Sequence, residues 1–139
     1  MKLVTFTFNG TTSIGAINGD HVVDFSNSSL PNNMIDFIAL GDQGLDTAKN
    51  LIDNSEIKIE LSKVHLKAPI TKPSKILAVG LNYKEHQDEV AQTAAKTIGK
   101  AQEKYPNIFN KQNSSVNGPY DDVHRPRASV FLDYEGELG

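Results

Sequence analysis

The sequence contains no cysteine. Disulfides, thiolate metal sites and cysteine nucleophiles are therefore excluded. It also lacks a basic excess: 14 Lys and Arg stand against 17 Asp and Glu, a net charge of −3. No electrostatic footprint for nucleic acid or an anionic membrane follows from that balance. Long apolar runs are missing too, since no stretch approaches the roughly 20 residues a membrane helix needs. The first eight residues, Met-Lys-Leu-Val-Thr-Phe-Thr-Phe, alternate like a strand and do not form the continuous apolar core of a signal peptide. These absences give a soluble, cytoplasmic protein as the default expectation. No dinucleotide fingerprint and no phosphate-binding loop is present.

What remains is globular. Of 139 residues, 38% are hydrophobic and 22% charged, which suits one domain, or a small domain plus part of another. Residues 2–8 alternate, Asn9-Gly10 is a hairpin turn, and Ser13–Ile17 reads as the return strand. A second turn at Asn18-Gly19-Asp20 leads to a short strand, His21–Phe25. Met34, Ile35, Phe37, Ile38 and Leu40 recur at helical spacing, with Gly41 as a stop signal. A further helix is expected over Leu45–Ile52, with Leu45, Ala48, Leu51 and Ile52 inward, then a strand over Ile57–Leu61. Residues 1–67 thus read as a small α+β domain without evident chemistry.

Ala68 to Ser74, punctuated by Pro69 and Pro73, is the boundary candidate. Beyond it a buried-type strand covers Lys75–Val79 and ends at Gly80. A helix is expected from Tyr83 to about Lys104, a short strand over Asn107–Lys111, a polar loop over Gln112–Asp122 and a final strand over Val130–Leu138.

Three segments carry candidate chemistry. In Asp133-Tyr134-Glu135-Gly136-Glu137, a strand would turn Asp133, Glu135 and Glu137 to one face. Carboxylates that close repel unless one is protonated or a cation lies between them. Oxygen donors suit Mg²⁺, Mn²⁺ or Ca²⁺, although spacing alone favours a solvated acidic strand end. In Asn82-Tyr83-Lys84-Glu85-His86-Gln87-Asp88-Glu89, His86 and Glu89 share a helix face. A glutamate there can orient an imidazole as a general base, while a solvated surface pair has the same spacing. Lys111 leaves its strand into a loop of amides and hydroxyls. It can hold a carboxylate as a point charge or be an ordinary surface lysine. His21, His65 and His124 read as surface or packing residues, and Arg125 and Arg127 are undecided.

In order and spacing, Lys-Ile-Leu-Ala-Val-Gly-Leu-Asn-Tyr-Lys-Glu-His-Gln-Asp-Glu, Ile-Phe-Asn-Lys-Gln-Asn-Ser-Ser-Val-Asn-Gly-Pro and Leu-Asp-Tyr-Glu-Gly-Glu-Leu-Gly resemble the fumarylacetoacetate hydrolase family. The front phrase Gly-Ala-Ile-Asn-Gly-Asp-His-Val-Val-Asp resembles the small N-terminal domain of many bacterial-type members. The resemblance implies an α+β chain in which residues 68–139 open a mixed β-sandwich roll. It implies Mg²⁺ or Mn²⁺, with Ca²⁺ a third candidate, on Glu135 and Glu137 and on an aspartate further along. It implies His86 with Glu89 as the acid–base pair on a lid segment, and Lys111 near the substrate. The implied activity is hydrolysis of a carbon–carbon bond in a small 2-oxo acid through a metal-stabilised enolate. The alternatives are decarboxylation or isomerisation within the same family, or a non-catalytic interaction module. A homodimer is implied as well. The third metal carboxylate would fall after Gly139, so the 139-residue chain is expected to be a poor catalyst.

Overall fold

The computed structural model describes residues 1–56, 58–88, 105–132, 134 and 136–138. It contains two compact units, residues 1–71 with 117–139, and residues 72–116. Residues 117–139, grouped above with 68–116, thus lie by contact with the first unit.

The first unit is built on an antiparallel sheet. Strands β1 (Lys2–Phe8) and β2 (Thr11–Asn18) pair from Lys2↔Ile17 to Phe8↔Thr11. Their turn places Asn9 and Gly10 at φ 48° and 79°, the left-handed pair that a two-residue hairpin loop requires. Strands β3 (His21–Asp24), β4 (Ile59–Glu60) and β5 (His65–Lys67) complete the sheet in the order β4-β3-β2-β1-β5. In the central strand, Ser13 through Ala16 are all buried, so both of its faces are covered there. The expected strand 57–61 is shorter than read: after Glu60 the chain turns into a 3₁₀ segment, Leu61–Lys63.

Helices α1 (Met34–Ala39) and α2 (Asp42–Asn54) close the core. Asn33 caps α1: its Oδ1 accepts from the Asp36 N–H at 2.9 Å, satisfying a donor that helix geometry leaves open. Phe25 and Phe37 meet at 6.0 Å between ring centroids. Around them pack Ile14, Ala16, Val23, Leu30, Met34 and Ala48. The inward face of α2 differs from the expectation at its start. Leu45 is exposed and Gly44 is buried. A Cβ at Gly44 would lie 2.9 Å from the Leu40 Cβ, so close approach of the helix to Leu40 selects glycine and turns Leu45 outward.

The second unit contains a two-stranded antiparallel ladder. Strands β6 (Ile76–Gly80) and β7 (Asn107–Lys111) pair from Ile76↔Lys111 to Gly80↔Asn107. Residues 84–88 are helical. The rest of the expected helix, 89–104, lies outside the described residues. Every residue of β7 is exposed.

The final strand expected over 130–138 is not formed among the described residues. Strand geometry is held by lateral hydrogen bonds, and neither sheet places a strand beside this segment. Phe131 and Tyr134 are 87% and 91% exposed, so no burial fixes their alternation.

Candidate functional site

His86 is positioned by the exit of β6. The strand ends at Gly80, and Leu81 then takes φ 53°. A non-glycine residue held there carries strain on the order of 1 kcal/mol. The Gln87 side chain donates from Nε2 to the Leu81 carbonyl at 2.6 Å, and the Gln87 N–H bonds the Tyr83 carbonyl at 3.0 Å. His86 is half-buried between the exposed residues Glu85 and Gln87. Glu89, its expected acidic partner, lies outside the described residues. Periodicity could not show the Leu81–Gln87 contact, because it depends on a backbone angle.

Lys111 closes β7, with its Nζ 5.6 Å from the Phe109 ring centroid, within cation–π range. It borders an open groove of about 580 Å³ with Ser74, Lys75, Leu77, Gln112 and Asn113. Asn113 Nδ2 donates to the Pro73 carbonyl at 2.7 Å and joins the two walls. Lys111 sits opposite Ile76, where β6 begins, whereas His86 follows Gly80, where β6 ends. At about 3.3 Å per residue the two ends are roughly 13 Å apart.

Of the glutamate pair, Glu137 is exposed and Glu135 lies outside the described residues. Among the described residues no group of three His, Asp or Glu side chains is placed to hold a metal. The side-by-side presentation read from their spacing involves Glu135 and so lies outside the described residues. The donor chemistry of two carboxylates still matches a hard divalent ion.

One acidic residue has a defined environment that sequence reading missed. Asp121 meets His65 Nε2 at 2.7 Å and Lys67 Nζ at 3.7 Å. It also accepts from the Gly118 N–H at 3.2 Å. These contacts fasten the turn 118–121 to β5, the edge of the sheet. A Cβ at Gly118 would lie 2.6 Å from Asp121 Oδ2 and 3.0 Å from the Leu66 carbonyl, so a side chain there would push the Asp121 carboxylate away from the Gly118 N–H. Partial desolvation raises the Asp121 pKa, but the Gly118 N–H, Lys67 and His65 outweigh it and hold the carboxyl below its ordinary 3.8. A depressed carboxylate pKa stabilises the fold above the unfolded value, and that contribution is lost as pH falls through the folded one. Docking of the turn is therefore expected to be intact at neutral pH and to loosen below about pH 3.8. Amide exchange at Gly118 and Asp121 measures it: Asp121→Asn should raise exchange severalfold at neutral pH and flatten the acid-side change. Unchanged protection in the variant would refute the latch. Arg125, undecided in the sequence, donates to the Ser129 carbonyl.

Comparison with known proteins gives these features a context. The family model described as fumarylacetoacetate (FAA) hydrolase C-terminal matches residues 75–139. A Xenopus laevis protein named oxaloacetate tautomerase, mitochondrial, is 34% identical over 144 residues, covering 99% of this chain and 43% of its own length. A Dictyostelium discoideum fumarylacetoacetate hydrolase domain-containing protein 2 homolog is 36% identical over 147 residues, covering 99% and 45%. The chain belongs to the fumarylacetoacetate hydrolase family. It spans less than half the length of these relatives. A solved structure of the same fold is the maleylpyruvate hydrolase from Sphingobium sp. SYK-6 in complex with manganese(II) and pyruvate. It has a TM-score of 0.59 and 25% identity, over 91% of this chain and 43% of that one. The α+β architecture is thus that of the fumarylacetoacetate hydrolase fold.

The cytoplasmic expectation is overturned by the same comparison. The Xenopus family member is named a mitochondrial protein, and net charge with hydropathy carries no information about organelle. Among the described residues no helix is long and apolar enough to cross a membrane.

Proposed function

We propose that this chain is part of a divalent-metal-dependent enzyme that moves a proton on a small 2-oxo acid, interconverting the keto and enol forms of an oxaloacetate-like substrate. The observation that carries the reading is the 34% identity, over 99% of this chain, to a protein named oxaloacetate tautomerase. It moves the emphasis from the carbon–carbon hydrolysis expected above to isomerisation. Both reactions pass through an enolate, and isomerisation asks only for a group that carries a proton.

His86 is the group assigned to that step. A neutral imidazole accepts the proton as the C3–H bond breaks and returns it to the 2-oxo oxygen as the O–H bond forms. Half-burial of His86 screens it partly from water, and Glu89 is assigned to hold the imidazole's orientation. Lys111, at the opposite end of the β6–β7 ladder from the strand exit that leads to His86, is assigned to draw in the substrate anion, not to touch the reacting carbon. Glu135 and Glu137 would hold the divalent ion. When bound, that ion polarises the 2-oxo group and stabilises negative charge on it. Mn²⁺ is favoured because the maleylpyruvate hydrolase structure contains it with pyruvate; Mg²⁺ is the alternative. Residues 68–139 are read as the opening part of the catalytic domain, and the assembly as a homodimer.

Enol absorbance of oxaloacetate tests this. Added Mn²⁺ should accelerate keto–enol exchange in the presence of the protein, and a chelator should return it to the spontaneous rate. Equal rates with and without metal would refute the proposal. Turnover of maleylpyruvate without effect on oxaloacetate would favour the second reading, hydrolysis, which the structural likeness to the maleylpyruvate hydrolase supports.

A further inference from the structure

The described residues contain two non-glycine residues with positive φ, Asn9 and Leu81. Asn9 lies in a hairpin turn where such an angle is ordinary. Leu81 has no such excuse. It is flanked by Gly80 and Asn82, the two residue types that accept the left-handed region most readily. Yet Gly80 is committed to the β6–β7 ladder opposite Asn107, and the strained angle falls on leucine. Burial does not compensate, since Leu81 is 45% exposed. Strain retained at an exposed residue needs a local restraint.

Gln87 supplies it. Its side chain reaches back six residues to the Leu81 carbonyl at 2.6 Å, and its own N–H bonds the Tyr83 carbonyl at 3.0 Å. The first bond ties the helical stretch 84–88 to the strained peptide, and the second ties Gln87 into the helix. With both made, the stretch cannot rotate about its axis without breaking one of them. Neighbouring residues on a helix are about 100° apart, so fixing Gln87 also fixes the direction in which His86 leaves the axis.

We propose that Gln87 and the Leu81 peptide form a clamp that sets the rotation of the segment carrying His86, which makes Gln87 a positioning residue for proton transfer. The proposal rests on the assignment of His86 above. A glycine at position 81 would adopt the same angle without strain but would also admit others. A strained leucine with a donor across the turn leaves one arrangement, and misplacement of a reacting group by an ångström can lower rate about a hundredfold.

Two variants test the clamp. Gln87→Leu removes the donor while keeping a side chain of similar bulk, and Leu81→Gly relieves the strain. Both are expected to lower kcat for keto–enol exchange roughly tenfold or more, with KM unchanged. Both should also displace the titration curve of the His86 imidazole followed by NMR. Leu81→Gly should do so without lowering the melting temperature, an outcome a purely structural role does not produce. Wild-type kcat and an unmoved His86 titration in both variants would overturn the proposal. His86→Asn separates the two claims. If it leaves the rate intact, the catalytic assignment fails, and with it the positioning role, even where the imidazole titration still reports the clamp. If it abolishes the rate while both clamp variants behave as wild type, only the clamp fails.

Discussion

Replacement of Gly15 by alanine is expected to lower the melting temperature of the first unit by more than about 12 °C. Gly15 lies in the middle of β2, between Val4 on one neighbouring strand and Asp24 on the other. A Cβ there would fall 2.3 Å from the Val23 carbonyl oxygen and 3.2 Å from both Phe6 and Val22 side-chain carbons. The first of these is backbone, so rotamer changes cannot relieve it, and β3 itself would have to shift. Phe6, Val22 and Val23 are fully buried, which carries the displacement into the core. Overpacking of this kind costs about 3 kcal/mol, a large part of the 5–15 kcal/mol typical of a domain. At roughly 4–8 °C per kcal/mol for a unit of this size, thermal unfolding followed by circular dichroism should show it readily. A melt within two or three degrees of the parent chain would mean that β2 and β3 do not approach so closely.

The second large effect concerns chemistry. In the whole enzyme of which this chain is proposed to be part, His86→Asn should lower metal-dependent keto–enol exchange of oxaloacetate by a factor of roughly 10² to 10⁴, the range that removal of a positioned acid–base group produces. Asparagine keeps a polar side chain of similar reach but cannot accept and release a proton near neutrality. Because His86 stands on a short segment outside the apolar core of the first unit, the variant should melt with the parent chain. Mn²⁺ affinity, measured by calorimetry, should be unchanged, since the assigned ligands are Glu135 and Glu137. A fall of less than about threefold, with metal binding intact, would remove His86 from the proton step.

The two halves of the chain were legible to different degrees, and the reasons are physical. In the first unit, local signals and tertiary packing agree. Asn9-Gly10 has the residue types that its left-handed angles require, and that turn sets the β1–β2 register in which Phe6 and Ile14 are buried. Asn33 and the apolar positions Met34 and Phe37 mark α1. Leu45 was misread because helical spacing gives a stripe but not the closeness of the neighbour, and approach to Leu40 demanded glycine at the adjacent position. Among the described residues of 130–138 no strand forms, because alternation describes which face a strand would bury, not whether another strand is present to bond it.

The sequence by itself determined the first three strands and their turns, the identity of the residues that could carry chemistry and the family they belong to. Each of these depends on residue type and on spacings of a few positions, which the chain carries locally. Only the tertiary structure decided that Lys111 pairs where β6 begins while the chain toward His86 leaves where β6 ends, that Asp121 pairs with His65 and Lys67 at the sheet edge, and that Leu81 is held at a left-handed angle by Gln87. Register, ion pairing across 56 residues and a strained backbone angle arise from contacts between segments distant in the chain or from conformations that residue type disfavours, and no periodicity records either.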